Sequence, residues 1–192
     1  MRTSDVVAVV TAAGRSTRMG RAKALVEWRG LPLLTHQVRA LLACREVVVV
    51  LGHEAHLLQP FVPTHARVRT VFNPRYDEGR GTSLATAFGL VRSPVAGVLV
   101  VAVDQPLADG VVQRLCEACR PEFAVLQPSH EGRRGHPVLF RGDLLPELQA
   151  VAAEPEGLRS VVRRHDGATR LVPVPDRDVL RDLNTPADWA EA

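Results

Sequence analysis

Four short valine-rich runs constrain the fold of this 192-residue chain more than any other feature. They are VVAVVT (6–11), EVVVVL (46–51), VRTVF (68–72) and AGVLVVAVD (96–104). Each is continuous and β-branched rather than alternating, the pattern of a strand covered on both faces in a parallel sheet. Segments with helical spacing separate them. Residues 33–43 place Leu34, Val38, Leu41 and Leu42 on one face, and residues 82–91 do the same with Leu84, Ala87, Phe88 and Val91. Strands alternating with helices predict an α/β fold built from right-handed βαβ units.

The second half is less regular. Residues 111–120 read as a helix, 123–128 as a strand, and 136–140 as a strand of antiparallel sense. Residues 157–165 read as a helix, and 168–175 as an edge strand because its prolines cannot donate to a central ladder. A terminal helix is expected over 185–192, with Thr185 as N-cap and Pro186 at its first position. No linker or repeat divides the chain, so one domain spanning 1–192 is expected.

Composition narrows the function. The formal charge is only +3, the arginines are scattered among acids, and aromatics are 4%. That combination argues against a nucleic-acid surface. No apolar run reaches the roughly 18 residues of a membrane span, and no signal peptide is evident, so a cytoplasmic location is expected. Three cysteines form no disulfide framework.

The chain contains no isoleucine, and its 24 basic residues are 23 arginines and one lysine, Lys23. In a chain so biased toward arginine, that lysine marks a position where a compact charge on a flexible stem is needed. Lys23 follows the glycine turn that ends the first strand, in AAGRSTRMGRAK. Sheets of this kind bind ligands at such turns. Ala12, Ala13 and Gly14 let backbone N–H groups approach an anion. Arg15, Ser16 and Thr17 add donors, and Arg18 and Lys23 add charge, as a triphosphate requires. The spacing matches neither a Walker A loop nor the dinucleotide-binding GxGxxG.

Asp104 ends the strand 96–104 and emerges at the same sheet edge. Magnesium prefers one or two carboxylates plus phosphate oxygens and water, which suits Asp104. In RDLNTP, Asp182 and Asn184 alternate onto one face and can approach the same cation. The chain's two asparagines, Asn73 and Asn184, both lie in such marked segments. In EGRGTSL, Arg80, Gly81, Thr82 and Ser83 are expected at a helix N-terminus open to an anion or base. No Ser-His-Asp or Cys-His constellation is apparent. CEAC (116–119) reads as small apolar residues facing the core, and GHEAH (52–56) as a helix start without metal-site spacing.

These motifs resemble the MobA-like nucleotidyltransferases, and the molybdenum cofactor cytidylyltransferases in particular. TAAGRSTRMGRAK resembles the family's N-terminal signature, and NPRYDEGRGTSL, DQP, GRRGHPVLF and DLNTPADW follow in the family's order. The resemblance implies a Rossmann-like three-layer sandwich with a mostly parallel mixed sheet. It implies Mg2+-dependent transfer of CMP from CTP to the phosphate of a molybdopterin acceptor, with release of pyrophosphate. Another base or acceptor (guanylyl transfer, a sugar phosphate, a phospho-acid) is the nearest alternative. A non-catalytic chaperone that binds the cofactor is the other. In this reading Lys23, Arg18 and Asp104 are catalytic. The nucleotide meets Ala12, Ala13, Gly14, Arg15, Ser16, Lys23, Asn73, Gly81, Thr82 and Ser83. Arg80 and His136 meet the acceptor, and Asp104 with Asp182 or Asn184 holds the metal. A molybdoenzyme or its chaperone is the implied protein partner. AAG at 12–14 resembles the cytidylyl-type loop, while guanylyl-type members tend to carry AGG.

Overall fold

A computed structural model describes residues 1–16, 19–20 and 22–190. Strand β1 (Val6–Ala12) is followed by a hairpin of β2 (Glu27–Trp28) and β3 (Leu31–Pro32), helix α1 (Leu33–Ala40) and β4 (Glu46–Leu51). A single turn, α2 (Ala55–Leu58), leads to β5 (Val68–Phe72), α3 (Arg80–Phe88), β6 (Gly97–Ala102) and α4 (Val111–Ala118). Then come β7 (Val125–His130), β8 (Arg133–Arg134), β9 (Val138–Arg141), α5 (Leu145–Gln149), α6 (Leu158–Arg164), β10 (Thr169–Pro173) and α7 (Pro186–Ala190).

Among the described residues the main sheet has eight strands, in the order β10-β7-β9-β6-β1-β4-β5, with β8 paired to β7. The four valine-rich runs form β1, β4, β5 and β6, all mutually parallel. β1, β4 and β6 are buried on both faces as expected, but β5 is the sheet's edge and its residues are only half-buried or exposed, so the expected cover on both faces fails there. Along β1 the side chains alternate between the two faces. Val6, Ala8 and Val10 enter a core shared with α1 and α4, while Val7 and Val9 enter a second core shared with α3, α5 and α6. The result is a three-layer sandwich with a mostly parallel sheet, as expected. No helix among the described residues is long and apolar enough to cross a membrane.

One reversal makes the sheet mixed. Glu131 and Gly132 both have positive φ, 49° and 76°, between the paired residues His130 and Arg133. Two left-handed residues between paired strands are the two-residue hairpin whose twist matches the strands. The chain therefore turns back, and β9 runs antiparallel between β6 and β7. The strand β10 lies at the sheet edge, where Pro173 removes no central donor. The terminal helix begins as its sequence predicts: Asp188 N–H donates to Thr185 Oγ1 at 3.3 Å, and Asp188 Oδ2 accepts from Thr185 N–H at 2.7 Å. Residues 191–192 of that expected helix lie outside the described residues.

Of the two cysteines in CEAC, Cys116 is buried and Cys119 is half-buried against the same core. Cys44 is buried with Cys116 nearby, and burial pushes its thiol up to about 12 from an ordinary value of 9.0. A folded-state pKa above the unfolded one means the native state holds the proton longer. The associated stability is intact below pH 9 and is lost between about pH 9 and 12. The wild type should therefore lose stability to urea over pH 9–11 more steeply than Cys44→Val does; parallel pH profiles would refute this.

Candidate active site

The sheet changes direction at β1. From β1 the chain proceeds outward through β4 and β5, then returns to place β6 on the other side of β1. In open α/β sheets the crevice at such a switch, beyond the carboxyl ends of the strands, is the ligand site. Here a cleft of about 1300 Å³ opens there, lined by Ala12–Ser16, Lys23, Arg80, Asp104, Gln105, His136, Asp182 and Asn184 among others.

The first loop leaves β1 under constraint. Ser16 has φ 50°, a left-handed conformation uncommon for a non-glycine residue. Its Oγ accepts from the backbone N–H of Lys23 at 3.1 Å, which closes the loop. Gly52 directly follows β4 and lies beside the loop. A Cβ on Gly52 would lie 2.6 Å from Tyr76 Cβ and 2.8 Å from Ala13 Cβ, so the loop packs closely only because that residue is glycine. Thr17 and Arg18, expected to add a hydroxyl and a charge, lie outside the described residues.

Lys23 is buried, with its ammonium turned into the cleft wall. Nζ is 3.2 Å from Asp104 Oδ2 and donates to Asn184 Oδ1 at 2.6 Å. Arg80 approaches the other Asp104 oxygen, with its guanidinium 3.8 Å from Oδ1. Gln105 Nε2 donates to Asp182 Oδ1 at 2.8 Å. Asp104 and Asn184, 81 and 161 positions beyond Lys23, are thereby gathered at one point.

Several contacts build this convergence. Gln37 is fully buried in α1. It donates to the Gln105 carbonyl at 2.6 Å and accepts from Leu107 N–H at 3.1 Å, so it fixes the turn that carries Asp104. The Asp104 carbonyl accepts from Leu183 N–H at 2.8 Å, which ties the late segment to the turn. Trp28, on the hairpin just after Lys23, takes the Arg181 guanidinium 5.7 Å over its ring and packs edge-to-face with Trp189 at 6.2 Å. That aromatic contact holds both ends of residues 181–189 against the first loop.

His136 lines the cleft and is tethered. Its Nε2 donates to the Arg181 carbonyl at 2.7 Å, which leaves Nδ1 as the bare nitrogen. Burial lowers its pKa below the ordinary histidine value, so the ring is neutral near pH 7.

Asn73, Thr82 and Ser83 are arranged differently from a simple anion loop. Asn73 is buried; its Nδ2 donates to Thr82 Oγ1 at 3.0 Å and Ser83 Oγ at 2.9 Å, and its Oδ1 accepts from Arg75 N–H at 3.0 Å. These groups satisfy one another and fix the start of α3. Gly81 and Ser83 also line the cleft.

The oxygen donors suit a hard divalent cation. Asp104, Asp182 and Asn184 present two carboxylates and an amide oxygen on one wall, and the Lys23 ammonium already rests between two of them. Among the described residues no cluster of three or more His, Cys, Asp or Glu could hold a metal unaided. Such a site would draw further oxygens from a bound phosphate.

Comparison with known proteins bears on this geometry. Residues 8–169 match the MobA-like NTP transferase domain model. The chain belongs to that family. Three curated relatives are alike in extent. Molybdenum cofactor cytidylyltransferase of Escherichia coli (strain K12) is 27% identical, over 98% of this chain and 96% of its own. Nicotine blue oxidoreductase of Paenarthrobacter nicotinovorans is 30% identical, over 94% and 92%. Molybdenum cofactor guanylyltransferase of Vibrio cholerae is 29% identical, over 100% and 93%. Among solved structures, Rv0371c from Mycobacterium tuberculosis H37Rv superposes with a TM-score of 0.81 at 25% identity, over 98% of this chain and 97% of that one. The MobA-like fold and the nucleotidyltransferase class expected from the motifs are thus supported, while the relatives' names divide among cytidylyl transfer, guanylyl transfer and an oxidoreductase.

Four contributors to the site escaped the sequence reading: Gln37, Gln105, Gly52 and Trp28. Gln105 lies within the DQP motif, and Gln37 left a signal as a polar residue three positions after Leu34 on an apolar helix face.

Proposed function

We propose that this protein is a Mg2+-dependent cytidylyltransferase that moves CMP from CTP to the phosphate of a molybdopterin acceptor. The observation that carries the reading is the meeting of Lys23, Asp104 and Asn184 at the sheet's switch point. In this reading the backbone of Ala12, Ala13 and Gly14, with Arg15 and Ser16, surrounds the triphosphate, and Gly81 and Ser83 flank it at the start of α3. Asn73 and Thr82 act through that helix start. Arg18 adds charge from the first loop. Asp104, with Asp182 and Asn184, would hold the metal, which neutralises phosphate charge when bound.

The reaction is a displacement at the α-phosphorus. An oxygen of the acceptor phosphate forms the new P–O bond, and the bond to pyrophosphate breaks. The protein supplies positioning and charge and needs no nucleophile of its own. Lys23 and Arg80 face the oxygens on which charge accumulates. Neutral His136, with Nε2 held by the Arg181 carbonyl and Nδ1 buried, would shape the acceptor side of the cleft and position residue 181 without adding a charge. The relatives named for cytidylyl and guanylyl transfer to molybdenum cofactor support the acceptor class, and Ala12-Ala13-Gly14 favours the cytidylyl choice. One domain over 1–192 and a cytoplasmic location complete the reading, with a molybdoenzyme or its chaperone as receiver of the product.

Pyrophosphate release measured with CTP and GTP, each with and without molybdopterin, tests it. Acceptor-dependent release with CTP is expected. Preference for GTP would reassign the base, and no release with any pairing would refute the enzymatic reading.

A further inference from the structure

We propose that Lys23 occupies the metal's seat in the nucleotide-free protein, so that divalent cation and triphosphate are taken up together and the bare cation is refused. The inference rests on the nucleotidyltransferase reading above and adds an order of binding to it. The Lys23 ammonium sits 3.2 Å from Asp104 Oδ2 and 2.6 Å from Asn184 Oδ1, the oxygens that a metal would need. The second Asp104 oxygen faces Arg80 at 3.8 Å. Both carboxylate oxygens therefore already look at positive charge. The Lys23 side chain is 10% exposed and that of Asp104 18%, so water screens this arrangement poorly.

A bare divalent cation entering here must displace the ammonium from both acceptors that it holds, Asp104 and Asn184. A triphosphate changes that. Its oxygens give Lys23 a new partner within reach of its flexible stem, and they supply the ligands that the protein lacks, since no described cluster suffices alone. The single lysine of an arginine-rich chain then has a reason. A guanidinium would grip the carboxylate as a planar fork and keep it, whereas an ammonium can swing to phosphate and release it.

The test uses Mn2+ alone as probe, with the free-ion electron paramagnetic resonance signal reporting binding to the full chain. Lys23→Met should bind bare Mn2+ at least tenfold tighter than the wild type, and Lys23→Met/Asp104→Asn should lose that gain. Equal affinity in wild type and Lys23→Met would overturn the proposal. A conservative variant guards against a merely structural effect. Lys23→Arg keeps a positive charge on Asp104 and should bind bare Mn2+ no tighter than the wild type; a tenfold gain would overturn the proposal too. Neither titration depends on base or acceptor. Turnover with CTP alongside tight bare-Mn2+ binding at Asp104 would sink the binding order and spare the function, and absent turnover with these titrations as expected would do the reverse.

Discussion

Replacing Asp104 with alanine should lower nucleotidyl transfer by roughly 10²–10³-fold or more in kcat/KM while leaving the fold in place. The fold should survive because the backbone role of Asp104 does not use its side chain. Its carbonyl still accepts from Leu183 N–H, and Gln37 still holds the following turn. Lys23 keeps Asn184 as a partner, so no buried charge is stranded outright. Activity should fail because the carboxylate is where the cations of the cleft meet. The melting temperature should move only by the few degrees that about 1 kcal/mol produces in a chain of this length. Asp104→Asn keeps the shape and removes the charge; matching losses in both variants would assign the effect to charge. Turnover within a few-fold of wild type would remove Asp104 from the reaction.

Much of this arrangement was legible in the sequence, and the division follows the range of the interactions. The strands could be read because Val6–Val10 and Val47–Val50 are buried on both faces, so hydrophobicity alone marks them. The antiparallel β9 could be read only as a short apolar run at 136–140, and nothing in that run marks its place between β6 and β7. Asp104 could be read because a charge directly after a valine strand must emerge at the sheet's edge. What could not be read is how distant segments meet. Arg80 against Asp104 and Gln105 against Asp182 depend on packing between elements 24 to 77 positions apart, which no local pattern records. Rarity marked Asn73 as special, yet not for what: its amide is committed to Thr82, Ser83 and Arg75 as a bracket at the start of α3. Chemistry that a site needs and chemistry that holds a site look the same in a sequence, because both demand a particular polar residue.

Gly135→Ala should cost about 1–3 kcal/mol of stability, and activity should fall about 10²-fold with it. A Cβ at 135 would lie 2.5 Å from the Val179 carbonyl oxygen and 3.0 Å from both its carbon and its Cβ. The neighbouring backbone cannot give way freely. Gly135 N–H donates to the Pro128 carbonyl at 2.8 Å, and His136 N–H donates to the Val179 carbonyl at 2.9 Å. Val179 is fully buried, so it cannot move outward without opening the core. Movement instead passes along the chain to Asp182 and Asn184, three and five residues on, and a displacement near 1 Å is enough to spoil a positioned phosphate site. A melting temperature lowered by roughly 3–10 °C, with the loss in kcat/KM, is the expected pair of results. The closest clash is with a backbone oxygen, which every residue at 179 carries. Trimming the side chain with Val179→Ala should therefore fail to rescue Gly135→Ala. Full rescue by that second change would mean that side-chain crowding, and not the backbone contact, sets the position of the late segment.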